Sequence, residues 1–177
     1  EVWLHPNARN PHRGPGGGGE RMYAIDISDP ATPVVTDSLM ANTRRVNDIM
    51  TTPDGKYMVH TREGAADRRN GIVIASLEDP AHPKVIAEFT EGVTAGVHSA
   101  FIYQQERHGT HVYITNNGTR ALHIIDINDP YKPREVGRWR APGPNAGGSL
   151  HDIDIQDGLA YLSNWNEGLV ILDVGNG

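Results

Sequence analysis

Three residues at matched places in this sequence could do chemistry together: Asn47, His98 and His151. Each opens a short run (Asn47-Asp48-Ile49, His98-Ser99-Ala100, His151-Asp152-Ile153) that leads through a turn into an aromatic or apolar strand. His5 and His60 form a second matched set near the end of the strand that follows. Neutral imidazole suits copper, zinc and iron. A transition metal held by His98, His151, His60 and His5 is therefore one expectation, and it would serve an oxidoreductase or a hydrolase. None of these residues has the tight local spacing of a zincin helix or a zinc ribbon, so the fold would have to assemble the site.

Other constellations are poorer. Gly14 to Gly19 is glycine-rich but lacks the Lys-Ser/Thr and the preceding buried strand of a phosphate loop. Ser149, His151 and Asp152 lie close in sequence, yet neighbours along a strand point to opposite faces, and no Gly-x-Ser-x-Gly is present. Asp152, Asp154 and Asp157 miss the calcium-loop pattern. Asn117-Gly118-Thr119 fits a glycosylation acceptor, but Asn-Gly is first a tight-turn signal. Trp165 stands apart, in the turn Asn164-Trp165-Asn166-Glu167-Gly168. An exposed tryptophan of this kind anchors protein interfaces, so Trp165, Asn164, Asn166 and Glu167 are the expected partner-binding residues.

The elements that position these residues follow from repetition. Asp29-Pro30-Ala31-Thr32-Pro33 returns 50 residues later as Asp79-Pro80-Ala81-His82-Pro83 and again as Asp129-Pro130-Tyr131-Lys132-Pro133. Upstream of each lies a β-rich run: Tyr23 to Ile27, Val73 to Leu77 and His123 to Ile127, with a further copy at Leu169 to Val174. Proline cannot donate to a ladder, so each Asp-Pro ends the strand before it. A period near 50 residues with about four short strands per unit marks a β-propeller blade. The fold class is therefore all-β, with blades of four antiparallel strands. Units at about 29–78, 79–128 and 129–174 follow a partial blade at 1–28, making about three and a half blades of one domain over 1–177. Both ends cut through the repeat, so a fragment of a longer, six- to eight-bladed ring is expected.

The Leu-x-Ile-x-Asp run followed by Asp-Pro-x-x-Pro, and later by a Tyr-Leu-Ser-Asn strand, resembles the LVIVD-repeat family of bacterial β-propellers. Leu122-His123-Ile124-Ile125-Asp126 and Leu169-Val170-Ile171-Leu172-Asp173 carry the likeness best, while Ile72-Val73-Ile74-Ala75-Ser76 departs from it at the serine. The resemblance implies an exported protein defined by its repeat rather than by an active site.

With strands named a to d from the axis outward, the Asp-Pro-x-x-Pro turns are c–d loops of constant length. The b–c loops vary widely: Pro6 to Arg21, Thr61 to Gly71, and Asn116 to Ala121. The d–a loop from Ala141 to Leu150 is long. Variation collects on one face, where a rigid scaffold usually carries its binding residues. Asn47, His98 and His151 fall on that face. Trp3, Tyr113 and Tyr161 are expected at equivalent strand positions, packing blade on blade with Trp139.

Composition narrows the classes further. Cysteine is absent, which removes disulfides and thiolate metal sites. A net charge of −6 with dispersed basic side chains argues against a nucleic-acid partner, and no apolar run is long enough to span a bilayer. The expected function is a non-catalytic binding or scaffold module outside the cytoplasm, facing a protein partner or a larger assembly. The alternatives are the metal-dependent enzyme above and a carbohydrate- or small-molecule-binding propeller.

Overall fold

The computed structural model describes residues 2–6 (backbone), 21–142 and 150–175. They form four antiparallel sheets and, among the described residues, no α-helix. The first sheet holds β1 (Val2–Pro6), β2 (Arg21–Asp26) and β3 (Val34–Met40). The second holds β4 (Ile49–Thr51), β5 (Tyr57–Arg62), β6 (Gly71–Ser76) and β7 (Lys84–Phe89). The third holds β8 (Val97–Gln105), β9 (Gly109–Asn116), β10 (Ala121–Asp126) and β11 (Arg134–Trp139). The fourth holds β12 (Asp152–Gln156), β13 (Leu159–Ser163) and β14 (Leu169–Asp173). Each sheet is an up-and-down meander, so each is one blade.

The repeated residues build the repeated turn. Asp29, Asp79 and Asp129 each accept the backbone N–H two residues on, from Ala31, Ala81 and Tyr131, at 3.0, 3.1 and 3.1 Å. Their carbonyls accept the N–H three residues on, closing a turn whose φ the proline presets. The aspartate that ends each c strand does a similar job. Asp26, Asp126 and Asp173 accept the N–H of Ser28, Asn128 and Gly175 at 2.9–3.0 Å. Ser76, the departure from the pattern, accepts from Glu78 through its hydroxyl at 3.2 Å. A β-bulge recurs one residue into the second half of three of the four c strands, β2, β6 and β10, at Ala24/Ile25, Ile74/Ala75 and Ile124/Ile125. Bulges bend and twist a strand, and the 50-residue spacing of these three keeps the blades alike.

Blades pack face to face through alternate residues of each strand. Met22 packs with Met58, Ala75 and Leu77 between the first and second blades. Val59, Ile72 and Ile74 lie against Ala100, Ile102, Val112, Ile114 and Ile125 between the second and third. Tyr113 and Leu122 lie against Ile153, Ile155, Ala160 and Leu162 between the third and fourth. Polar links run alongside: Asp48 accepts the N–H of Ala100 at 2.8 Å, and Ser99 donates to Asp152 at 2.7 Å. Gly71 shows how tightly the second blade is drawn. Its φ is +141°, and a Cβ there would lie 2.0 Å from the carbonyl oxygen of Phe89.

The register corrects one expectation. Tyr113 lies opposite Ile124 and Tyr161 opposite Ile171, which makes those two equivalent. In the first blade the matching residue is Leu4, opposite Ala24, whereas Trp3 lies opposite Ile25. A one-residue offset exchanges the faces of a strand, so Trp3 does not share the position of the two tyrosines. His5 does match His60, opposite Tyr23 and Val73 respectively.

Candidate functional site

The starts of the innermost strands come together on the face that carries the b–c loops. Asn47 precedes β4, His98 is the second residue of β8 and His151 precedes β12, so successive blades set them side by side. Asn47 Nδ2 is 3.2 Å from His98 Nδ1. The rings of His98 and His151 have centroids 4.5 Å apart with planes tilted by 50°. Each position is pinned by the strand beside it: Asn47 N–H bonds the Thr61 hydroxyl at 3.1 Å, and His151 N–H bonds the Ser163 carbonyl at 2.8 Å.

Glu63 ties this arc together. It leaves the end of β5 on the b–c loop and crosses to the third blade. Its Oε2 accepts from Asn47 Nδ2 at 2.7 Å and meets His98 Nδ1 at 3.1 Å; its Oε1 accepts from Asn117 Nδ2 at 2.8 Å. Arg45 lies 3.8 Å away. Burial works to raise the Glu63 carboxyl, but the hydrogen bonds from Asn47 and His98, the His98 charge and the bond from Asn117 outweigh it. The group is left below its ordinary value and is a carboxylate at neutral pH. A carboxylate can only accept, so the proton of this contact sits on His98 Nδ1. In the neutral ring Nε2 then keeps its lone pair.

Trp165 closes the arc. Asn164, Trp165, Asn166 and Glu167 form a single 3₁₀ turn before β14. The indole is 63% exposed and stands edge-on to the His151 ring at 5.3 Å. Its backbone φ is +31°, a region that a bulky L-residue rarely adopts and that costs on the order of 1–3 kcal/mol. With His151, Ser163, Asn164, Gly168 and Leu169 it lines a pocket of about 460 Å³.

The other residues expected at a site fall differently. Asn164 is buried, its N–H bonded to the Gly168 carbonyl at 2.8 Å, and it lines the pocket from the floor of the turn. Glu167 is exposed. The side chains of Asn166 and His5 and all of Ser149 lie outside the described residues, as does the Gly14–Gly19 loop. His60 does not join the histidine pair. Strand alternation turns it, with Met58, toward the first blade, where it is buried and its Nδ1 lies 3.3 Å from the Thr61 carbonyl. Burial lowers its pKa to about 4. Asp152, which the sequence excluded from a triad, holds Ser99 instead. Glu63 is the residue the sequence did not single out. It sits in a loop of unique length, where the repeat supplies no matched copy to draw attention to it.

Two further surfaces bear on function. At the opposite end, between the third and fourth blades, a cleft of about 600 Å³ is lined by His108, His111, Asp126 and Arg134 among others. Within it Arg134 and Asp126 form an ion pair at 2.6 Å. The outer face of the fourth blade is apolar. Leu169 and Ile171 are 63% and 53% exposed, although their register equivalents Ile72 and Ile74, and Leu122, are fully buried under the following blade.

Comparison with known proteins places this geometry in context. The family model described as LVIVD repeat matches residues 19–41, 108–140 and 147–177, leaving out the unit that ends in Ser76. No curated protein matches. Among solved structures, the chain is similar to hydrazine synthase from Kuenenia stuttgartiensis, at 15% identity and a TM-score of 0.66, over 97% of this chain and 55% of that one. It is similar to the Cps50 (Swd1) β-propeller domain of Myceliophteria thermophila, at 14% identity and a TM-score of 0.64, over 87% of this chain and 45% of that one. It is also similar to a protein described as a putative 6-phosphogluconolactonase from Bacteroides fragilis, at 15% identity and a TM-score of 0.52, over 67% and 32%. The chain thus spans about half or less of these three structures, and the likeness is one of fold. Repeat, blade topology and structural neighbours agree that this chain is a β-propeller protein carrying LVIVD repeats.

Proposed function

We propose that this chain is a non-catalytic binding and scaffold module, one arc of a larger propeller, that presents its b–c loop face to a protein partner. Trp165 carries the reading. An indole that is largely exposed, held at a positive φ and braced edge-on by His151 has been placed at a backbone cost with no gain in core packing. Strain of this kind is tolerated where function needs it, and exposed tryptophans dominate interface energetics. The hydrogen-bonded Asn47–Glu63–His98 set supports the role by fixing the platform beneath it, as pre-organised sites require.

The outer face of the fourth blade supports the scaffold half of the reading. Residues buried at the same register in two other blades are exposed here, so the partner of this face is a further blade of the same kind. An extracytoplasmic location belongs to the same reading, and a chain without cysteine is compatible with it. One observation favours a second reading, a carbohydrate or other small ligand stacked on Trp165. The pocket beside it falls within the range of about 300–1,000 Å³ usual for such sites.

Native mass measurement on protein isolated from its source tests the proposal. A mass well above the 19.3 kDa of this chain, with a second polypeptide bound and lost on Trp165→Ala substitution, is expected. A lone propeller that retains a small ligand through Trp165 would replace the first reading by the second.

A further inference from the structure

The His98–His151 pair has the spacing that two imidazoles on one metal ion would take. Two imidazoles sharing one metal at about 2.0–2.1 Å per nitrogen, roughly at right angles, have ring centres about 4–5 Å apart. The observed separation is 4.5 Å with the planes tilted by 50°. Glu63 supplies the element that a chance pair lacks. Metal-binding histidines almost always give their other N–H to a carboxylate or carbonyl, which fixes tautomer and orientation. His98 Nδ1 meets Glu63 Oε2 at 3.1 Å, and that oxygen is held in turn by Asn47 at 2.7 Å. This leaves His98 Nε2 as the ligating atom. His151 is exposed and, among the described residues, its ring nitrogens carry no hydrogen bond, so no competing partner has to be displaced.

We propose that His98 and His151, from adjacent blades, bind one divalent late first-row metal ion of the copper or zinc class at the mouth of the propeller channel, with Glu63 as the positioning residue of His98. Among the described residues no third histidine, cysteine or carboxylate completes the set, so water fills the remaining positions and the site stays open to an incoming ligand. Borderline nitrogen donors favour copper over zinc at such a site. The proposal rests on the histidine pair and not on Trp165 as an anchor, and it stands whether or not the loop face takes a protein.

Trp165 makes the test direct, because its indole lies 5.3 Å from the His151 ring and a bound Cu(II) ion quenches a nearby indole. Metal-free protein is titrated with Cu(II) while tryptophan emission and the electron paramagnetic resonance spectrum are recorded. Saturation at one equivalent with coupling to two nitrogens is expected, and Zn(II) competes. His151→Ala, which removes an exposed ring and leaves the fold intact, abolishes the two-nitrogen signal. Glu63→Gln weakens binding by about 10- to 100-fold. Trp165→Phe binds copper as before but loses that share of the quenching, which separates this inference from the role of Trp165 in partner binding. Copper affinity and spectrum unchanged in both His98→Ala and His151→Ala, or coupling to a single nitrogen in the parent, would overturn the assignment.

Discussion

The carboxylate of Glu63 and the imidazole of His98 meet at 3.1 Å across the boundary between the second and third blades. This contact joins a variable loop to an innermost strand, so it couples the most changeable part of the repeat to the most rigid. Removing a carboxylate that holds two amides and a ring nitrogen leaves those donors unpaired at a half-buried site. Glu63→Ala is expected to cost about 2 kcal/mol, read as a shift of the urea midpoint without change in slope. A loss below about 0.5 kcal/mol, the range of an ordinary surface substitution, would show that the network only decorates the face.

The exposed face of the fourth blade makes a matched pair of predictions, because Leu122 and Leu169 occupy one register position in two blades. In the 177-residue chain Leu122→Ala opens a cavity under the fourth blade and costs about 2–5 kcal/mol. Leu169→Ala stays within about 0.5 kcal/mol. With the further blade proposed for this face in place, the same change is expected to cost as much as Leu122→Ala. Equal effects of the two substitutions in the short chain would refute the reading of Leu169 as an unpartnered blade surface.

Gly71 tests how closely the b–c loop of the second blade is drawn to the outer strand. A methyl group there collides with backbone, not with a side chain that can swing away, and φ is +141° besides. Gly71→Ala is therefore expected to cost about 3 kcal/mol or more, while Gly55→Ala, where nothing lies within 4 Å, pays only for its positive φ. Thermal unfolding of the two variants separates them.

Stability should fall as the solution is acidified from pH 6.5 to 4. Burial holds the His60 pKa at about 4, with the Arg62 charge adding to it and the Thr61 carbonyl and Glu88 opposing. The unfolded chain titrates near 6.5. Between these values the unfolded state binds the extra proton, so stability rises with pH through the window and is flat above it. The full swing is about 3 kcal/mol. His123, also buried and lowered first by burial, acts in the same sense. His60→Gln is expected to remove most of the slope. The carboxyl of Glu63, held low, adds a further loss only below its ordinary range.

The blades were legible in the sequence because their turns are made by side chains with one geometric use. Asp29, Asp79 and Asp129 bond the backbone two residues on, and the prolines after them end the strand and preset the turn. Convergence of Asn47, His98 and His151 was legible for the same reason, since matched places in repeats become neighbours around an axis. Three things were not. Trp3 sits one residue from its expected place, because an apolar strand reads equally well in either register and only pairing with β2 fixes it. His60 occupies a repeat position as plainly as His98 does, yet alternation along β5 turns it between blades instead of toward the mouth. Glu63 is invisible to repeat logic, since its loop has no counterpart of equal length.

The proposed role of Trp165 is tested most directly by the affinity of the Trp165→Ala variant for a polypeptide that copurifies with the protein from its source. The account predicts a loss of about 30-fold or more, the mark of an interface anchor worth about 2 kcal/mol, with an unchanged melting temperature because the indole packs on no core. Undiminished affinity in a folded Trp165→Ala variant would contradict the claim that this face binds through its tryptophan.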